Sequence, residues 1–175
     1  MPENIILVGF MGTGKTTIGR MLARSLGYPM VDTDQLIEES QGQSIPEIFA
    51  GHGEEAFRKL ETATLSAFSD ASHQVISTGG GIIVTPENRP LLKSLGYVVW
   101  LRTSPREILN RTSRNRNRPL LDTPNPMATI TALLEERTPL YRESSHLSIE
   151  TDHLNFEEII AGITESARYY FSQES

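Results

Sequence analysis

No cysteine occurs in this sequence, so a disulfide framework, a thiolate metal site and a cysteine nucleophile are all excluded. No stretch approaches the roughly 20 apolar residues that a membrane-spanning helix needs. Positive charge is scarce: 16 Lys and Arg against 22 Asp and Glu leave a net charge of −6. A general nucleic-acid binder carries the opposite excess, so no nucleic-acid partner is expected. The chain shows no internal repeat, no low-complexity tract and no interdomain linker. Its first residues place Glu3 ahead of a short apolar run, Ile5 to Val8, too little for a signal peptide, and a cytoplasmic protein with no membrane partner is expected. The four histidines, 52, 73, 146 and 153, have no metal-ligand spacing.

What remains is one domain's worth of chain: 175 residues, 38% of them apolar, enough for a substantial core. Apolar β-rich runs at 4–9, 29–32, 74–78, 97–102 and 146–150 alternate with helical patterns. Those patterns lie near 15–27, 34–41, 46–68, 87–95, 105–112, 126–143 and 155–170. This alternation predicts an α/β fold with a parallel sheet and crossover helices. Ser104/Glu107, Ser44/Glu47 and Asn155/Glu158 have helix-capping spacing, and Thr85-Pro86 reads as a cap followed by a first-turn proline. Residues 113–125, polar and with two prolines, interrupt the pattern; such a loop in a compact domain reads as a functional lid or as disorder.

The strongest signal is Gly9-Phe10-Met11-Gly12-Thr13-Gly14-Lys15-Thr16, followed by Thr17. It matches G-x-x-x-x-G-K-[ST] between a strand and a helix, the loop that cradles phosphates on backbone N–H groups at a helix N-terminus. Lys15 is expected to reach the β- and γ-phosphates and Thr16 to ligate Mg²⁺. Thr17 stands where a dinucleotide-binding G-x-G-x-x-G loop needs its third glycine, which argues against a Rossmann dehydrogenase. The Asn/Thr-Lys-x-Asp base-reading motif of guanine-specific GTPases is absent, and the chain is short for a motor. Arginines, with no lysine among them, cluster from Arg102 to Arg142. A small-molecule kinase that closes over nucleotide and acceptor fits best, because water must be kept from the phosphoryl group.

Asp32-Thr33-Asp34 ends the second apolar run. Two carboxylates at i and i+2 on an extended strand end can point the same way: Asp32 towards Mg²⁺, Asp34 towards the acceptor hydroxyl. The alternative is an ordinary N-cap at Asp34 for a helix starting at Gln35. Arg58 and Glu61 share a helical face, so the acid can brace the guanidinium for bidentate capture of a carboxylate. Gly79-Gly80-Gly81 follow the third run and allow a substrate close to the backbone.

Taken together, G-F-M-G-T-G-K-T-T, D-T-D, the I-F…G-E-x-x-F-R-x-x-E segment, G-G-G, R-P-L-L and E-R-x-P-L-Y resemble a shikimate kinase, of the P-loop nucleoside-monophosphate-kinase-like group, over about residues 4–170. The resemblance implies a three-layer α/β/α single domain over 1–175, with a five-stranded parallel sheet in the order 2-3-1-4-5. It also implies a helical substrate-binding segment at about 33–61 and a mobile lid at about 112–125. The implied activity is Mg²⁺-dependent transfer of the γ-phosphoryl of ATP to the 3-hydroxyl of shikimate, by a monomer. By resemblance, Lys15, Asp34 and Arg118 are catalytic, Asp34 being the candidate base. Gly12, Thr13, Gly14, Lys15, Thr16, Thr17, Arg111 and Arg118 hold ATP, with Arg111 against adenine and Arg118 in the lid. Asp34, Arg58, Arg137 and the backbone at Gly79, Gly80 and Gly81 hold shikimate, beside a wall formed by Phe49 and Phe57. Thr16 and Asp32 hold the metal. Some family members supply an arginine to the adenine site after the last strand; here Thr151 to Asn155 contain none. Another polyol acid such as gluconate, or a binding module without turnover, are the alternative readings.

Overall fold

The structure, a computed structural model, describes residues 3–113 and 123–174. Its centre is β1 (Asn4–Val8), whose five residues are all buried. Ile5, Ile6, Leu7 and Val8 are apolar on both faces, as a strand covered by helices on both sides must be. Around it lie β2 (Met30–Asp32), β3 (Val75–Ser77), β4 (Gly96–Arg102) and β5 (Leu147–Glu150). They form one five-stranded sheet in the order β2-β3-β1-β4-β5, with every pairing parallel. The order predicted by resemblance is the order observed.

The helices are α1 (Lys15–Leu26), α2 (Thr33–Gln41), α3 (Ile45–Ser66), α4 (Asn88–Leu95), α5 (Pro105–Thr112), α6 (Pro126–Ser144) and α7 (Phe156–Glu174). Alternate residues of β1 feed opposite cores. Ile5 and Leu7 pack with Ile18 and Leu22 of α1 and Ile159 and Ile163 of α7. Ile6 and Val8 pack with Leu65 of α3, Leu92 of α4 and Tyr141 of α6. Two helical layers on one sheet result. A separate small cluster, Ile37, Ile48 and Phe57, joins α2 to α3 outside the sheet. The chain runs from β1 outward to β2 and β3, then crosses β1 to reach β4, so the order reverses beside β1. Ligands of open parallel sheets bind at the strands' carboxyl ends next to such a reversal, and the loop after β1 lies there.

Two local expectations change, and the alternative of a cap at Asp34 drops out. Thr85 and Pro86 form a turn rather than a cap, with Asn88 N–H donating to the Thr85 carbonyl at 3.1 Å and Arg89 N–H to that of Pro86 at 3.3 Å; Glu87 is the N-cap residue and lends no side-chain bond. The helical segment expected at 46–68 is broken at Gly53, whose φ of 80° leaves the helical region, a conformation glycine adopts without steric cost. Asp32, not Asp34, caps α2, which begins at Thr33. The caps at Ser104 and Asn155 form as expected: Glu107 N–H donates to Ser104 Oγ at 3.3 Å, and Asn155 and Glu158 bond reciprocally at 2.8 and 2.9 Å. None of the described helices is long and apolar enough to cross a membrane.

Candidate active site

The loop from Gly9 to Gly14 closes over the N-terminus of α1. Gly14 caps that helix with φ 89°, in the left-handed region that glycine enters freely. The Lys15 Nζ folds back to donate to the Gly9 carbonyl at 2.7 Å and the Phe10 carbonyl at 2.9 Å. A cation is thereby stored at the mouth of a backbone cradle at the positive end of a helix. Thr16 Oγ1 donates to Asp32 Oδ2 at 3.1 Å, so the two expected metal ligands sit side by side.

The strand-to-helix step at Asp32 orders the acids. Asp32 Oδ1 accepts from Asp34 N–H at 3.1 Å and Gln35 N–H at 3.4 Å, satisfying first-turn donors that the helix leaves unpaired. Since Asp32 does the capping, Asp34 is left in the first turn with its side chain lining the cleft. The two acids do not both project from a strand end, as their i, i+2 spacing suggested. Thr33 between them is fully buried, and its Oγ1 accepts from Gly79 N–H at 3.3 Å. Asp34 Oδ1 has no hydrogen-bond partner among the described residues. Burial, with the Asp32 charge adding to it, pushes the Asp34 carboxyl up to about 6.

Arg58 is braced twice, by Glu61 Oε2 at 2.7 Å and by Glu54 Oε1 at 2.9 Å. Glu61 is fully buried, and burial pushes its carboxyl up to about 7 in spite of Arg58 beside it. Phe49 and Phe57 stand 4.8 Å apart, centroid to centroid, and both line the cleft. The three glycines are explained from behind as well as in front. A Cβ at Gly79 would fall 2.6 Å from Asp34 Oδ1 and 3.1 Å from Glu61 Oε1, one at Gly80 3.1 Å from Met11 N, and one at Gly81 2.4 Å from an Arg58 nitrogen. Charged groups of the site occupy the space that side chains would take at Gly79 and Gly81, and phosphate-loop backbone occupies it at Gly80.

Arg137, from α6, closes the far side of the cleft. It is 6% exposed, its Cζ lies 5.6 Å over the Phe10 ring, and its Nη1 reaches the Gly80 carbonyl at 3.5 Å. Its Nε finds no partner among the described residues. Arg111 Nε pairs with Glu107 at 2.8 Å and its Nη1 donates to the Gly12 carbonyl at 3.3 Å. Gly14, Thr17 and Arg111 line both the main cleft, about 460 Å³, and a second cavity of about 520 Å³ whose other wall includes Thr151, Leu154 and Asn155. Arg118, and the lid apart from its ends at 112–113 and 123–125, lie outside the described residues.

One cleft thus gathers the phosphate loop, Asp32, Asp34, Phe49, Phe57, Arg58, the three glycines, Arg111 and Arg137. Sequence reasoning missed Thr33, Glu54 and Tyr141. Glu54 was legible, being one helical turn before Arg58; Thr33 and Tyr141 were not, since their partners are remote in sequence. His146 has a structural contact, its Nδ1 accepting from Val98 N–H at 2.9 Å.

The family model described as "Shikimate kinase" matches residues 11–168. A shikimate kinase from Thioalkalivibrio sulfidiphilus is 47% identical over 168 residues, 96% of this chain and 87% of its own length. One from Symbiobacterium thermophilum is 42% identical over 164 residues, covering 93% and 94%. Among solved structures, shikimate kinase from Acinetobacter baumannii in complex with shikimate superposes with a TM-score of 0.91 at 42% identity, covering 97% of this chain and 95% of that one.

Proposed function

Since this chain belongs to the shikimate kinase family, we propose that shikimate and ATP meet in the cleft described above. The reaction is transfer of the γ-phosphoryl group of ATP to the 3-hydroxyl of shikimate, giving shikimate 3-phosphate and ADP on the route to aromatic amino acids. The observation that carries the assignment of roles is the convergence of Asp34, Arg58 and Arg137 on Gly79–Gly81 in the same cleft as the phosphate loop.

Phosphoryl transfer needs little covalent help from protein groups; positioning and charge stabilisation dominate. Arg58 and Arg137 take the shikimate carboxylate, Arg58 held in place by Glu54 and Glu61. Phe49 and Phe57 form the apolar wall beside the ring. Asp34 orients the 3-hydroxyl and accepts its proton as the oxygen bonds to the γ-phosphorus and the bond to the β-phosphate oxygen breaks. A carboxyl near 6 is mostly ionised at neutral pH and is a stronger base than an ordinary aspartate. Lys15 exchanges its carbonyl partners for the β- and γ-phosphates, while Gly12, Thr13, Gly14, Thr16 and Thr17 supply the cradle. Arg111 and the 151–155 segment flank the adenine, and Arg118 is assigned to the lid.

Thr16 and Asp32 are hard oxygen donors in hydrogen-bond contact and suit Mg²⁺, which takes few protein ligands and completes its octahedron with water and phosphate. When bound, Mg²⁺ neutralises charge on the phosphates. We further assign the chain a single domain across 1–175, with the substrate-binding segment at about 33–61 and the lid at about 112–125, a cytoplasmic location, no nucleic-acid or membrane partner, and a monomeric state. The test is ADP release from Mg-ATP with shikimate, gluconate, AMP or no acceptor at equal concentration. Turnover with shikimate alone is expected; turnover with a different acceptor, or slow release indifferent to all of them, overturns the reading.

A further inference from the structure

Tyr141 is fully buried and lies four residues after Arg137, on the same face of α6. Both side chains reach one acceptor, the Gly80 carbonyl: Tyr141 through a short hydrogen bond from its hydroxyl, Arg137 through Nη1 at 3.5 Å. These two are its only donors among the described residues. The Tyr141 ring is fixed by stacking on Trp100, 5.5 Å between centroids and 18° from parallel. Burial pushes the phenol far above its ordinary value, so its proton stays on the oxygen as a donor at any working pH.

A buried carbonyl must be paired, and the donor that takes it decides how much of the guanidinium is left over. With the hydroxyl in place, Arg137 touches Gly80 only at the limit of bonding, faces the Tyr141 hydroxyl as well, and keeps Nε unpartnered among the described residues. Without it, the carbonyl has one remaining donor, the arginine, and draws it in.

We propose that Tyr141 is a positioning residue for the acceptor: its hydroxyl occupies the Gly80 carbonyl and so keeps the Arg137 guanidinium turned to the shikimate carboxylate. This rests on the shikimate reading of the cleft given above. Nothing in Tyr141 touches substrate; it acts through Gly80 and Arg137.

Tyr141→Phe removes the hydroxyl and retains the ring, its volume and its stack on Trp100. Steady-state kinetics in both substrates, with melting curves, are compared for the wild type, Tyr141→Phe, Arg137→Ala and the double variant. Tyr141→Phe is expected to raise KM for shikimate about five- to tenfold, the scale of one hydrogen bond's worth of binding. KM for ATP stays within about twofold, and Tm moves by only a few degrees. In the Arg137→Ala background the same change is expected to move KM for shikimate by less than about twofold, because contacting residues are non-additive. An unchanged KM for shikimate, an equal rise in both KM values, or the same fold-change in both backgrounds overturns the proposal. Wild-type enzyme that releases no ADP in response to shikimate refutes the acceptor assignment instead, and the two failures are thereby distinguished.

Discussion

Replacing Asp34 by Asn should make the free protein more stable and less active, in proportions set by pH. In the native state burial and the Asp32 charge push the Asp34 carboxyl from 3.8 up to about 6; in the unfolded chain nothing does. The native state therefore holds a proton that the unfolded state has released, and stability falls as pH rises through the window from 3.8 to about 6. Each pH unit across that window is worth roughly 1.4 kcal/mol, so ionising Asp34 costs the native state about 3 kcal/mol at pH 8 and about half that at pH 5. An asparagine escapes this charge but still buries an amide, at about 1 kcal/mol. The expected net gain is thus about 2 kcal/mol at pH 8 and a few tenths at pH 5. Urea unfolding at both pH values measures it directly, with wild type and variant compared through their midpoints. The same variant should lose roughly 10²-fold or more in kcat if Asp34 is the base proposed above. A variant less stable than wild type at pH 8, or a difference indifferent to pH, would refute the electrostatic reasoning.

Other consequences are as specific. Gly79→Ala places a Cβ 2.6 Å from Asp34 Oδ1, so it should lower kcat about tenfold or more while KM for ATP holds within twofold, whereas Gly162→Ala, with nothing within 4 Å, should stabilise α7 by about 0.5–1 kcal/mol in a thermal melt. Arg58→Ala should raise KM for shikimate by about 10²-fold and leave ATP binding, followed by calorimetry, within twofold; equal loss of both ligands would mean that the arginine supports the whole cleft. Asn88 is fully buried, donating to the Ile82 carbonyl at 2.9 Å and accepting from Thr62 Oγ1 at 2.8 Å, so Asn88→Ala should cost about 2–4 kcal/mol in urea unfolding. The profile of kcat/KM for shikimate against pH should fall on the acid side of about 6, where Asp34 of the free enzyme takes up its proton; a profile flat down to pH 5 would remove Asp34 as the base.

Much of this molecule was legible in the chain because the relevant physics is local. An apolar run with both faces hydrophobic dictates a covered parallel strand, and β1 is one. The phosphate loop needs only glycines that tolerate its backbone angles, a lysine and a hydroxyl at fixed spacing, all within nine residues from Gly9 to Thr17. The brace of Arg58 by Glu61 follows from helical periodicity alone. Even the strand order came from the ordered set of motifs, since a family carries its topology with its residues.

What depended on contacts between remote segments was decided by the fold. Whether Asp32 or Asp34 caps α2 rests on a small difference in where β2 stops, and propensities do not resolve boundaries that finely. The triple glycine looked like room for a substrate; packed, it is equally room for Asp34, Glu61 and Arg58, whose atoms stand where side chains would be. The raised carboxyls exist only because α2 and α3 bury their acids together beside Gly79, and desolvation has no signature in a sequence. Tyr141 meets Gly80 across 61 steps of chain. Sequence by itself determined which chemical groups this protein owns and which secondary elements carry them. Tertiary structure alone decided which of them touch, and hence their charge, because burial and long-range contact are properties of the folded chain and not of any segment of it.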